Sequence, residues 1–312
     1  MSLTDRTGEG ESSSFAENPV AVVHIENPDL PLEETQVRRY SSLGESIQQV
    51  ESNCAYTVAH TLPGRRVIRF DRHLKRLFES AEGLGYEAGV DATSVRRLLS
   101  EVLDHYGGAE RSKFRITLLR DGGILIAVEP YAGLPEELRV HGIDCALVPN
   151  SARGRPDTKT TSWMDTRRSL TDRTRRSLTD RTRRSLTDRN VYEVLLSDDN
   201  GYVLEGSSSN VFFVAGKAHE PCLRTAEEGI LKGVTRAIVL ELVEPEMQVQ
   251  RSAVHYTELE SIQEAFICSS TRGIVPIRRI DDIHYPAPGA WTSRISTLYD
   301  EWVEHNSEPL LK

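Results

Sequence analysis

The chain has 312 residues, enough for two domains of ordinary size, and 27% of them are charged, as in a water-soluble globular protein. A net charge of −9 argues against a nucleic-acid binder, and no apolar run reaches the length of a membrane span. Four widely spaced cysteines with no C-x-x-C pair argue against a disulfide framework or a zinc site, and favour a reducing, cytoplasmic setting.

Residues 1–18 are rich in Ser, Glu and Gly and are expected to form a disordered tail. Val20 to Ile25 and Ala55 to Thr61 read as strands. Asp71 is expected to cap a helix whose apolar face is Leu74, Leu77, Phe78, Ala81 and Leu84, with Gly85 ending it. A second helix spans Val95 to Tyr106. Phe114 to Leu119 and Ile124 to Val128 flank the turn Arg120-Asp121-Gly122-Gly123 and form a hairpin, and Leu138 to Val148 is a further strand region. Mixed helices and strands of this kind indicate an α+β fold. We expect two α/β domains, 19–150 and 151–312, joined through a polar stretch, Ser151 to Thr161, that carries Lys159.

The octapeptide T-R-R-S-L-T-D-R follows in three identical tandem copies at 166–173, 174–181 and 182–189. Eight helical steps of about 100° leave a drift of about 80° per copy, so Leu170, Leu178 and Leu186 cannot share one face of a helix. Asp lies four residues from Arg on both sides, which suits a solvated, ion-paired helix. Nine Arg against three Asp could form a basic arm for an acidic partner; a duplicated surface segment without a role is the simpler reading.

Val191 to Leu196 and Val211 to Val214 are strand-like, and Asn200-Gly201 reads as a two-residue hairpin turn. Between them the stretch V-L-E-G-S-S-S-N-V-F-F-V at 203–214 places one acid, Glu205, among apolar residues, where it requires solvent or a cation. Gly233 opens a helix through Leu242, and the amides at its start would suit a phosphate. Ser269-Ser270-Thr271-Arg272-Gly273 is a hydroxyl-rich turn at the end of the strand Ala265 to Cys268. Trp291 to Val303 is a closing amphipathic helix.

These motifs, with H-L-K-R-L at 73–77 and D-T-K-T-T at 157–161, resemble the class IV (fold type IV) pyridoxal-phosphate enzymes from Ala55 to Ile280. That family includes branched-chain and D-amino-acid aminotransferases and aminodeoxychorismate lyases. The resemblance implies pyridoxal 5′-phosphate in an interdomain cleft, a homodimer, and transamination between an amino acid and a 2-oxo acid. Lys159 matches the lysine that forms the Schiff base, and Glu205 the acid beside the pyridine nitrogen. Arg76, the amides of Val234 and Thr235, and the Ser270–Thr271 turn match the phosphate ligands. Arg115 matches an arginine on the substrate side, with a solvent-exposed strand arginine as the alternative; Tyr56 could face the same pocket, and His60 and His73 read as structural. No metal is implied.

Met164 stands where branched-chain enzymes have a tyrosine, while E-G-S-S-S-N at 205–210 looks most like D-amino-acid aminotransferases. The lyase and an inactive member with a basic arm are the alternative readings. From Lys159 to Glu205 is 46 positions; removing two eight-residue copies leaves 30, close to the family's spacing, so two copies read as an insertion.

Overall fold

The computed structural model describes residues 19–28, 32, 35–50, 52–108, 110–181, 191–217 and 220–311. The tail at 1–18 and the third octapeptide copy therefore lie outside the described residues. The chain divides into two compact units, Met1–Tyr131 with Glu308–Lys312, and Ala132–Ser307.

The first unit contains strands β1 (Val20–Ile25), β2 (Gln36–Tyr40), β3 (Ala55–His60), β4 (Arg66–Val67), β5 (Ser112–Leu118) and β6 (Ile124–Pro130). Its helices are α1 (Phe70–Gly83) and α2 (Ala92–Tyr106). The antiparallel sheet runs β2-β1-β6-β5-β3, and strand alternation sorts its two faces. Ala21, Val23, Ile25, Phe114, Ile116, Ile126 and Val128 point to one face and pack with Leu74, Leu77, Leu98, Leu99 and Val102 of the two helices. Asp91 caps α2 by accepting from the Ser94 amide at 2.7 Å. Asp71 is not the cap of α1: Arg69, at φ 43°, occupies that position without a side-chain cap. Asp71 lies in the first turn and instead receives Arg96 at 2.5 Å. His73 is buried, with Nδ1 at 2.9 Å from Thr57 Oγ1.

The second unit begins with α3 (Glu136–His141), which occupies the first part of the expected strand Leu138 to Val148. Then come β7 (Ile143–Val148), α4 (Thr161–Arg181), β8 (Glu193–Ser197), β9 (Tyr202–Gly206), β10 (Asn210–Lys217) and β11 (Glu220–Arg224). They are followed by α5 (Val234–Val243), β12 (Gln248–Gln250), β13 (Val254–His255), β14 (Glu264–Ser269), β15 (Gly273–Ile280), β16 (Ile283–His284) and α6 (Ala290–Asn306). The sheet order is β12-β11-β10-β14-β15-β7-β8-β9-β13, with β16 on β15. A last strand, β17 (Glu308–Pro309), pairs with β4 in the first unit.

β7 runs parallel to both β15 and β8 inside the second sheet. The boundary therefore falls at 131/132 and not near 150, and the stretch Ser151 to Thr161 is a loop within the second unit. No helix among the described residues is long and apolar enough to cross a membrane.

The first octapeptide copy is part of the core. Leu170 is buried with Ala146, Val191, Val194 and Leu196, and Trp163 packs against the same cluster. Helix α4 continues through the second copy to Arg181.

Candidate active site

The hairpin β8–β9 turns at Asn200-Gly201, where Gly201 takes φ +86°, a conformation that favours glycine. Asp198 Oδ1 accepts the amides of Asn200 at 3.0 Å and Tyr202 at 2.8 Å and fixes the turn. In this register Glu205 stands opposite Leu196 in the sheet interior and is 1% exposed. Its Oε2 accepts the Leu231 amide at 3.2 Å. Its Oε1 lies 2.7 Å from Arg153 Nε. A fully buried carboxylate oxygen is thus paired by charge and left with acceptor capacity. Burial pushes the Glu205 carboxyl up to about 7, against Arg153, the Leu231 amide and Lys159, which pull it down.

The peptide of Leu231 ties this acid to the start of α5. While its N–H goes to Glu205, its carbonyl accepts from Asn210 Nδ2 at 2.8 Å. Gly233, the N-cap of α5, has no side-chain cap, so the first-turn amides of Val234 and Thr235 carry the helix's positive end without an internal acceptor from the cap. A Cβ on Gly233 would meet Asn210 Oδ1 at 2.2 Å, so the close approach of these segments requires glycine. The ring of Tyr299 on α6 lies 3.4 Å from where a Cβ on Gly273 would stand.

A second buried acid holds the serine loop. Glu193 accepts Ser207 Oγ at 2.5 Å, Ser208 Oγ at 2.7 Å, Ser209 Oγ at 3.2 Å and Arg272 Nη1 at 3.0 Å. Arg272 Nη2 also donates to the Ser208 carbonyl at 2.9 Å, and Arg272 Nε to Ser269 Oγ at 2.9 Å. Burial alone would raise the Glu193 carboxyl; Arg272 and the serine hydroxyls overcome it and hold the group below its ordinary value.

The second unit thus contains Lys159, Glu205, Val234, Thr235, Ser270 and Thr271, and the Leu231 peptide ties Glu205 to the segment that leads into α5. Lys159 is half-buried one residue before the isolated bridge at Thr160, and its charge is felt at Glu205. Tyr56, Arg76 and Arg115 belong to the first unit. Arg76 is half-buried on α1. Arg115 is 3% exposed, which overturns the solvent-exposed alternative. Its Nη1 donates to the Leu43 carbonyl at 2.7 Å and its Nη2 to Ser46 Oγ at 2.8 Å; burial lowers the guanidinium to about 10. Tyr56, 4% exposed, lies on the same face of β3-β5-β6, opposite Thr117.

Sequence reasoning missed Arg153, Leu231 and the bracing roles of Glu193 and Arg272. The signal for Glu193 was its place in a strand of otherwise apolar residues. Arg153 carried none, because it stands in a polar loop.

The amino-transferase class IV family matches residues 56–280. The chain belongs to this family. It is a pyridoxal 5′-phosphate-dependent aminotransferase by that membership. A "Probable branched-chain-amino-acid aminotransferase" of Thermotoga maritima is 28% identical over 245 residues, 74% of this chain and 80% of that protein. The D-alanine aminotransferase of Bacillus licheniformis is 26% identical over 239 residues, 73% of this chain and 80% of that protein. The fold matches the branched-chain aminotransferase of Thermoproteus uzoniensis with norvaline at TM-score 0.69 and 19% identity, covering 88% and 97% of the two chains. It also matches a hypothetical aminotransferase from Mycobacterium tuberculosis in its PLP-bound form at TM-score 0.65 and 19% identity, covering 90% and 97%. The residues present fit the cofactor: a buried acid with spare acceptor capacity for a protonated ring nitrogen, and an uncapped helix start beside it for a phosphate.

Proposed function

We propose that the second unit's cluster binds pyridoxal 5′-phosphate with Glu205 at the pyridine nitrogen and transfers an amino group from an amino acid to a 2-oxo acid. The observation that carries this reading is the Leu231 peptide, which fastens the buried Glu205 to an uncapped helix start within one loop. When bound, the cofactor supplies an electron sink for the bond broken at the substrate Cα. Glu205 holds a proton on the ring nitrogen, which makes that sink effective. The amides of Val234 and Thr235 and the hydroxyls of Ser270 and Thr271 bind the phosphate, and Arg76 adds a cation. Lys159 would hold the cofactor through its Nζ, and that amine would carry the proton to and from the substrate Cα. Arg115 and Tyr56 orient the substrate.

We further propose a homodimer in a reducing, cytoplasmic setting. The first rests on the family resemblance, and the second is supported by four buried, free cysteines.

Reduction of the loaded protein with borohydride, followed by peptide mass mapping, tests the lysine. The pyridoxyl group is expected on Lys159; an adduct on Lys232 or another lysine would refute the assignment. A panel of L- and D-amino acids, read by the change in cofactor absorbance, would then identify the donor and its configuration. A requirement for a 2-oxo acid in turnover separates transamination from the lyase reaction.

A further inference from the structure

Glu205 does not face its burial alone. The Arg153 side chain is 4% exposed and that of Glu205 2%, and the two groups stand 2.7 Å apart. Arg153 is itself held in place from two sides. Its guanidinium carbon lies 4.4 Å from the centroid of the Trp163 ring, and its Nη2 reaches the Ser207 carbonyl at 3.4 Å. Trp163 Nε1 donates to the same carbonyl at 2.9 Å, so the indole platform is anchored as well. The loop before Lys159, the first turn of α4 and the serine loop therefore converge on one cation. A planar guanidinium on an aromatic face is a fixed charge, which a flexible ammonium would not be.

We propose that Arg153 is a positioning residue for Glu205: clamped between Trp163 and the serine loop, it orients the carboxylate and supplies its counter-charge before the cofactor enters. The inference rests on the reading of Glu205 as the acid at the pyridine nitrogen, but the Arg153–Glu205 pair can be measured without the cofactor. The charged and titratable groups acting on Glu205 are Arg153 and Lys159, with the Leu231 amide as the neutral donor. Lys159 is committed to the cofactor once it is bound, which leaves Arg153 as the fixed cation.

The test is infrared titration of the full-length, cofactor-free protein, with the Glu205 carboxyl band identified by its loss in Glu205→Gln. Arg153→Gln is expected to move the titration midpoint upward by about 1–3 pH units. Arg153→Lys should restore part of that shift, since it returns the charge without the stacked geometry. Trp163→Phe, which keeps an aromatic face but loses the anchor at Ser207, should give a smaller upward shift, and this variant answers the question should Arg153→Gln not fold. A midpoint unchanged in Arg153→Gln, or in Trp163→Phe and Arg153→Lys together, overturns the proposal. Adding pyridoxal 5′-phosphate to the wild type is a separate arm. If the carboxyl band still titrates unchanged in the loaded protein, Glu205 does not meet the ring nitrogen, and the reading of the site fails while the effect of Arg153 on the free protein stands.

Discussion

Glu205→Gln isolates the cost of burying this acid. The folded protein holds the carboxyl at about 7 against an ordinary value of 4.5. A group whose folded pKa is raised contributes its full relative stability below the unfolded value and loses it as pH climbs through the folded value. A gap of about 2.5 units at about 1.36 kcal/mol per unit makes the loss about 3 kcal/mol. Glutamine keeps the shape and removes the titration. It also leaves Arg153 without its counter-charge, but that penalty is constant over the range because arginine stays protonated. Urea unfolding of the cofactor-free protein between pH 4.5 and pH 8, followed through the transition of the second unit, should therefore show two curves of different slope. The wild type is expected to lose about 3 kcal/mol relative to the variant as pH rises. Parallel curves would refute the argument, because Glu205 would then be as well solvated in the fold as in the unfolded chain. In the loaded protein the difference should shrink, since a protonated ring nitrogen gives the carboxylate a partner.

Four other outcomes follow from the packing. Gly233→Ala drives a Cβ against Asn210 Oδ1, whose amide is already committed to Leu231, so it should cost about 1–3 kcal/mol in thermal unfolding and weaken cofactor binding in an absorbance titration. Glu264 accepts the amides of Trp291 and Thr292 and the Thr292 hydroxyl at the start of α6; Glu264→Ala should cost about 2–4 kcal/mol in urea unfolding. Deleting residues 174–189 should change stability by less than about 1 kcal/mol and leave cofactor binding intact, because closure entropy varies slowly with loop length. Leu170→Ala in the first copy should by contrast cost about 2–5 kcal/mol, and an insoluble deletion variant would show that all three copies belong to the core.

The elements most legible in the sequence are those governed by local rules. The strand Val20–Ile25, the hairpin at Asn200-Gly201 and the helix opened by Gly233 each stand where turn chemistry and periodicity place them. Long-range pairing was not legible. The stretch before Val148 reads as one strand, yet Gly142 at φ +68° breaks it into a short helix and a strand that joins the second sheet, shifting the unit boundary. Arg115 illustrates the same limit: a strand arginine reads as solvated until the Leu43 carbonyl and Ser46, some 70 positions away, are seen to receive it. The octapeptide repeat is locally uniform, so nothing in it marks Leu170 as a leucine that meets Ala146 and Val194.

Two buried acids twelve positions apart, Glu193 and Glu205, show how the fold separates bracing from chemistry. Each lies in the same sheet and each faces an arginine, at 3.0 Å and 2.7 Å. Glu193 takes three serine hydroxyls besides its arginine, and its carboxyl is held below the ordinary value despite burial. Glu205 takes one backbone amide and its arginine, and burial pushes its carboxyl up to about 7. A carboxylate with every lone pair filled has nothing left to offer a ligand, and its removal should be felt as lost structure. One that is buried, charged and short of a donor is costly to keep unless something binds there. By this criterion Glu193 fastens the serine loop and the Ser269–Arg272 turn, and Glu205 is the acid held in readiness. The Gly206 between the loop and the acid makes both possible, since a Cβ there would meet Ser209 Oγ at 2.1 Å and Glu193 Cγ at 3.2 Å.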